Sequence, residues 1–186
     1  MLVSFLLPTR KRFPKLMRAI MSIRDTVGNK DNYEICLRVH SDDELTIARL
    51  PEIVKLANVR VHIGPPLDWA HNVNAFDEAN QIASGSWVWW FNDDCVLEGS
   101  GWDTQLWEVP ARTIAIPAVH RLGKSTYPRD RHVPMFAMPA YSWGTENFPA
   151  SGDTGLWEFY EKNGWNVHWL EGITLWHDRD ESDCDH

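Results

Sequence analysis

The sequence is short of the features that mark specialised protein classes. It has three cysteines, Cys36, Cys95 and Cys184, an odd number without any C-x-x-C pair. Such spacing excludes a disulfide framework or a zinc ribbon and points to reduced thiols in a cytoplasmic protein. No stretch approaches the roughly 20 apolar residues of a membrane-spanning helix. The apolar run from Leu2 to Leu7 is followed, not preceded, by Arg10, Lys11 and Arg12. It therefore reads as a buried strand, not a signal peptide, in a chain expected to be soluble. Repeats, low-complexity tracts and Gly/Ser-rich linkers are also missing, which leaves one domain over 1–186 as the economical organisation. Basic charge is scarce: 18 Lys and Arg stand against 26 Asp and Glu, for a net charge of -8. That balance repels phosphate backbones and argues against nucleic acid as a partner.

What is present is more specific. A chain of 186 residues is long enough to bury about 70% of its unfolded surface. Eleven tryptophans are the largest compositional anomaly. Most are expected in the core, although the same flat faces suit stacking on a sugar ring. The basic cluster Arg10-Lys11-Arg12, with Lys15 and Arg18, opposes the global charge and suits a single diphosphate.

Periodicity orders the elements. Leu2 to Leu7 predicts a strand, and Leu16, Ile20 and Ile23 predict a helix that starts at Pro14 and stops at Gly28-Asn29. A second unit follows: a strand over Tyr33 to Val39, then one helix or two over Leu45 to Asn58, broken near Pro51. A third strand covers Val59 to Ile63. Trp69, Val73, Phe76, Ala79 and Ala83 share one helical face, with Gly85 ending that helix before a strand over Ser86 to Phe91. Alternating strands and helices predict an α/β fold with a mostly parallel central sheet and helices on both faces. Further on, Thr113 to Ile116 predicts a strand and Arg121 to Pro134 a long polar loop, with Gly123 to Arg131 a candidate lid. A helix is expected from Asp153 to Lys162, then two strands over Val167 to Leu170 and Ile173 to Trp176.

Ligands of such sheets bind beyond the carboxyl ends of the strands. In this chain those ends carry Pro8 to Arg12, the turn from Val39 to Asp43, Asn92-Asp93-Asp94 and the region of His177. The strongest signal is Trp87-Val88-Trp89-Trp90-Phe91-Asn92-Asp93-Asp94, an apolar strand that ends abruptly in two carboxylates. Alternation puts Asn92 and Asp94 on one face and turns Asp93 away unless the chain has already turned. Asp94 is then the better metal ligand, and Asn92 is placed to contact a ribose hydroxyl or a water in the metal's shell. Hard oxygen donors suit Mg²⁺ or Mn²⁺ on a diphosphate. The alternative is that the acidic pair only forms a turn or cap.

The order Ser4-Phe5-Leu6-Leu7-Pro8-Thr9-Arg10, Arg38-Val39-His40-Ser41-Asp42-Asp43, Asn74, Ala83-Ser84-Gly85-Ser86 and Phe91-Asn92-Asp93-Asp94 resembles GT-A glycosyltransferases of the family-2 kind. Gly101-Trp102-Asp103 resembles their short members. The resemblance implies a Rossmann-like GT-A fold with a nucleotide-binding half over 1–105, an acceptor and catalytic half over 106–178, and a tail over 179–186. It implies nucleotide contacts from Pro8, Thr9, Arg10, His40, Asp42, Asn74, Asn92 and Asp93, with Arg12 reaching the diphosphate. Asp94 and the late His177 would hold Mn²⁺ or Mg²⁺. Ser151-Gly152-Asp153 resembles the motif that supplies the catalytic base of inverting members, so Asp153 is the first candidate for that role, with plain helix capping as its alternative. Glu146 is the reserve. Two positions depart from the pattern: His40 stands where the family has an aspartate, and Asn92 replaces the first D-x-D aspartate. Trp102, Trp143 and Trp157 are candidate sugar-stacking surfaces or core residues, and Cys184 with His186 could bind a metal adventitiously.

The expected activity is sugar transfer from a nucleotide-sugar donor, UDP-sugar first, to an acceptor that the sequence does not name. A nucleotidyltransferase is the second reading, disfavoured because residues 8 to 14 contain no glycine with which to wrap a triphosphate. A non-catalytic carbohydrate-binding protein is the third.

Overall fold

The computed structural model describes residues 1–68, 72–122, 125–127, 136–142, 160 and 162–177. Three strand–helix units open the chain. Strand β1 (Val3–Thr9) leads to α1 (Phe13–Thr26), β2 (Tyr33–His40) to α2 (Glu44–Leu56), and β3 (Val59–Gly64) to α3 (Asn72–Asn80) and then β4 (Trp87–Trp90). These strands pair with one another only in parallel, in the order β3-β2-β1-β4. The chain therefore moves outward from β1 through β2 to β3 and then returns across the sheet to β4. Right-handed crossovers put α1 and α2 on one face and α3 on the other.

The remaining strands extend the same sheet. They are β5 (Cys95–Glu98), β6 (Thr113–Leu122), β7 (Ser125–Tyr127), β8 (Ala137–Pro139) and β9 (Asn166–His177), with α4 (Trp102–Leu106) between β5 and β6. The full order is β3-β2-β1-β4-β8-β6-β9-β5, with β7 on β6. β6 and β9 run parallel, and antiparallel pairs join β8 to β4 and β5 to β9. Most paired residues thus lie in parallel ladders, as the alternating pattern predicts. Among the described residues no helix is long and apolar enough to cross a membrane.

Several boundaries differ from the sequence expectation, each for a physical reason. Of the two alternatives for the second helical segment the single helix holds, since α2 runs through Pro51. α3 ends at Asn80, not Gly85, and the apolar residues beyond it pack from a turn. Gly85 instead permits a close approach of backbones. A Cβ there would lie 2.7 Å from the Leu2 carbonyl and 2.7 Å from Ser4 Oγ, so the position requires glycine. The strand expected over Thr113 to Ile116 is longer, and the segment expected as a loop from Arg121 is not one at its start, because β6 continues to Leu122 and pairs with β7. The two final strands are one, β9, carried across Gly172 at φ 72° with a shift of register against β6. The candidate lid lies largely outside the described residues.

The core beneath β1 and β4 is aromatic. Phe5 stacks on Trp89 at 5.0 Å, and Trp102 meets both edge-on, at 5.2 and 5.5 Å. Trp102 is fully buried, with its Nε1 donating to Thr26 Oγ1 at 3.1 Å. It is a core residue, which removes it as a sugar platform. Its neighbour Asp103 is also buried and accepts three hydrogen bonds from the α1–β2 connection: Gly28 N at 2.8 Å, Asn29 N at 3.1 Å and Asn32 Nδ2 at 2.8 Å. Burial pulls against ionisation there, but these donors hold the carboxyl below its usual range. The Gly-Trp-Asp motif is thus a clasp between α4 and the end of α1. Replacing Asp103→Ala strands three donors and should cost about 2–4 kcal/mol in urea unfolding, with Asp103→Asn recovering part. An alanine variant as stable as the parent would refute the clasp.

Candidate functional site

The strand order changes direction between β1 and β4, and in sheets of this kind the crevice that takes a ligand lies beyond the carboxyl ends of the strands flanking that point. Thr9 ends β1 and residues 10–12 follow it, while residues 91–94 follow β4. Thr9 Oγ1 donates to Asp93 Oδ2 at 2.7 Å across this junction. Arg12 Nη1 lies 3.4 Å from Asp93 Oδ1 and 3.3 Å from Asp94 Oδ2. Both carboxylates are buried, at 3% and 8% exposure. Asp93 does not point away, because β4 stops at Trp90 and the chain has already turned, with Cys95 N bonding the Asn92 carbonyl at 3.1 Å. Both aspartates therefore face Arg12, while Asn92 is half-buried.

His177 arrives from the far end of the chain. β5 begins where β9 ends, in antiparallel register, so Cys95 is the direct partner of His177. This places His177 Nε2 3.3 Å from Asp94 Oδ1, and Cys95 Sγ 3.7 Å from the same oxygen. The ligand atoms of Asp94, Cys95 and His177 all lie within 4.8 Å of one another. The His120 ring of β6 stacks on His177 with centroids 6.2 Å apart. Cys95 and His120 are the members of the cluster that sequence reasoning missed. The only signal for Cys95 was its adjacency to Asp94, and His120 carried none.

The electrostatics separate the two aspartates. Burial and the neighbouring Asp94 push Asp93 up to about 6, against the pull of Arg12 and the Thr9 hydroxyl. Burial acts on Asp94 too, but His177 and Arg12 outweigh it and hold that carboxyl below its usual value. Asp94 is thus the stronger acid of the pair.

A second set of residues lies after β2. Arg10 forks onto Asp42, with Nη2 at 2.8 Å and Nε at 3.2 Å, and Lys11 Nζ reaches Asp42 at 2.9 Å. These cations depress the Asp42 carboxyl strongly. Lys11 adopts φ 57° and donates its backbone N–H to Asp43 Oδ2 at 2.6 Å, while Asp43 Oδ1 caps α2 through Thr46 N at 3.1 Å. Asp43 therefore fastens the loop after β1 to the start of α2. Arg38 is fully buried. Its Nε donates to Glu78 at 2.7 Å and its Nη2 to the Pro65 carbonyl at 2.6 Å, which fixes the segment after β3. From that segment Leu67 N donates to His40 Nδ1 at 3.2 Å, and the Leu67 carbonyl accepts from Arg10 at 3.3 Å. Pro8 lies inside β1, paired with Arg38. Asn74 is exposed in the first turn of α3. Asp153, Glu146, Trp143, Trp157, Cys184 and His186 lie outside the described residues.

Neither a protein-family profile nor a curated protein sequence matches the chain. Solved structures do. S. aureus TarS 1-349 in complex with UDP superposes with a TM-score of 0.75 at 11% identity, over 99% of this chain and 62% of that one. The mannosyltransferase PcManGT from Pyrobaculum calidifontis, in complex with GDP-Man and Mn²⁺, gives 0.71 at 15% identity, over 96% and 57%. GalNAc-T7 with UDP, GalNAc and Mn²⁺ gives 0.70 at 14%, over 96% and 43%. These neighbours are GT-A glycosyltransferases, and the fold is GT-A-like over nearly the whole chain. The chain spans less than two thirds of the length of each of these three.

His40 supplies a test of this geometry. Burial first, then Arg38 and Arg10, lower its pKa to about 4 from an ordinary 6.5, consistent with a neutral ring whose Nδ1 accepts. A depressed histidine pKa means that the unfolded chain binds the extra proton between pH 6.5 and 4. Stability from this group is therefore complete above about pH 6.5 and declines as pH falls through that window, by up to about 3 kcal/mol. Its imidazole resonance should titrate with a midpoint near 4; a midpoint near 6.5 would contradict the buried acceptor role.

Proposed function

We propose that this protein transfers a sugar from a nucleotide-sugar donor to an acceptor hydroxyl with the help of a divalent cation. The observation that carries the reading is the convergence of Thr9, Arg12, Asp93, Asp94 and His177 at the crevice between β1 and β4. Neighbours of the same fold bind UDP or GDP-Man, two of them with Mn²⁺, which supports a nucleotide diphosphate and a divalent cation in this crevice. UDP-sugar is the first donor to test.

Asp94 and His177 fit a cation by their chemistry, an ionised carboxylate oxygen and an imidazole nitrogen 3.3 Å apart on buried side chains. A divalent ion held there supplies Lewis-acid stabilisation of the departing diphosphate. Arg12, already between the two carboxylates, contributes the positive charge that a phosphate meets. Arg10 and Asp42 form an exposed pair whose members can exchange partners at little cost, as surface ion pairs do. They are assigned to the base and ribose with Thr9, Pro8, Asn74 and Asn92. His40, neutral and bound to Leu67, shapes the same wall. Asp153 is assigned as the base that takes the acceptor proton as its oxygen attacks the anomeric carbon, giving inversion, with Glu146 in reserve.

A ligand at 100 times its dissociation constant adds roughly 2.7 kcal/mol of stability. UDP-sugar with Mn²⁺ should therefore raise the melting temperature of the parent, and Asp94→Ala should lose the Mn²⁺-dependent part of that rise while keeping its circular dichroism. An undiminished metal response in the variant would move the cation elsewhere. Asp153→Asn should keep the donor-induced shift and lose transfer by about 100-fold or more. Unchanged turnover would transfer the base role to Glu146.

A further inference from the structure

The cation cluster holds a third donor that the reading above does not use. Cys95 is fully buried beside Asp94 and opposite His177. In a tetrahedral zinc site, bonds of about 2.0 Å to oxygen and nitrogen and about 2.3 Å to sulfur place neighbouring ligand atoms roughly 3.3–3.6 Å apart. The oxygen–nitrogen distance here is 3.3 Å, the oxygen–sulfur distance 3.7 Å, and all three atoms fall within 4.8 Å of one another. Asp94 Oδ2 is turned to Arg12, which leaves Oδ1 for the other two donors.

We infer that Asp94, Cys95 and His177 form a three-ligand site for a borderline-soft divalent cation, Zn²⁺ or Co²⁺, in preference to Mg²⁺ or Mn²⁺. The chemistry of the donor set decides the class of ion. Thiolate and imidazole select Zn²⁺ and its congeners, whereas Mg²⁺ takes octahedral oxygen shells. Three protein ligands leave a fourth position for water or a substrate oxygen, the pattern of catalytic rather than structural zinc sites. The free thiol donates toward Asp94 and burial keeps it protonated. Coordination replaces that S–H bond by a sulfur–metal bond and releases the proton to solvent. The inference rests on the cation position of the proposed function but not on any nucleotide.

The test is a Co²⁺ titration of the nucleotide-free protein in a Cys184→Ser background, which removes the other thiol named as a possible metal ligand. The expected result is the intense visible bands of four-coordinate Co²⁺, together with a near-ultraviolet thiolate-to-cobalt charge-transfer band. One equivalent of Zn²⁺ should bleach both, and a hundredfold excess of Mg²⁺ should leave them. Cys95→Ser should lose the charge-transfer band and bind Zn²⁺ at least tenfold more weakly, with Cys95→Ala as a second variant in case the buried serine hydroxyl perturbs folding. Cobalt binding without the sulfur band, or equal Zn²⁺ affinity in a folded Cys95 variant, overturns the inference. A melting shift with UDP-sugar and Mn²⁺ that survives such a result leaves the donor reading standing. A sulfur band in a protein that shows no donor shift does the reverse.

Discussion

Burying Asp93 and Asp94 beneath a strand of tryptophan and valine carries a desolvation cost that the rest of the chain must offset. The compensation comes from three residues on two remote segments, the end of β1 with the loop that follows it and the end of β9. Thr9 at the end of β1 donates to Asp93, Arg12 before α1 spans both carboxylates, and His177 at the end of β9 meets Asp94. Each partner reaches the pair only if its strand ends at the right level of the sheet. The parallel β1–β4 ladder and the antiparallel β5–β9 ladder set those levels. The acidic pair is therefore where the register of the first half and the register of the second half have to agree.

The walls of the crevice are held by polar clamps. Asp43 ties the left-handed Lys11 to the cap of α2, and the buried Arg38 ties Glu78 on α3 to the segment after β3. Gly64 makes room for that second clamp, since a Cβ there would come within 2.7 Å of the guanidinium. Both clamps fix backbone rather than bulk. They leave the exposed Arg10, Lys11 and Asp42 as the adaptable members of the wall, with a local positive charge inside a chain whose net charge is -8.

The first strands and helices, β1 to β3 with α1 and α2, were legible because each is long enough to show a period. The seven-residue run of β1 and the 3.6-residue spacing of Leu16, Ile20 and Ile23 declare themselves. The second half was not, for reasons that concern particular residues. β5 and β8 are four and three residues long, too short for alternation to register. Gly172 reads as a breaker, yet it carries β9 through a bulge, because a left-handed residue re-aims a strand without ending its pairing. Within the site, Asp94 and His177 could be named from strand ends alone. Asp93 could not be placed by alternation, because the strand stops at Trp90 and the turn that follows brings both aspartates to Arg12. Cys95 became visible only when β9 was set beside β5, a pairing between distant segments that no local pattern encodes.

That last pairing also gives meaning to a departure in the motif itself. With asparagine at position 92, the acidic element carries one negative ligand fewer than the D-x-D pattern it resembles. On the proposed reading, a hard-ion site is weakened by that loss. A thiol at position 95, brought against Asp94 and His177, restores one anionic donor when it binds, but a soft one. The charge available to a cation is then conserved while its preference moves from oxygen-seeking ions toward zinc. Asn92 and Cys95 are, in this view, two parts of one change in the character of the site.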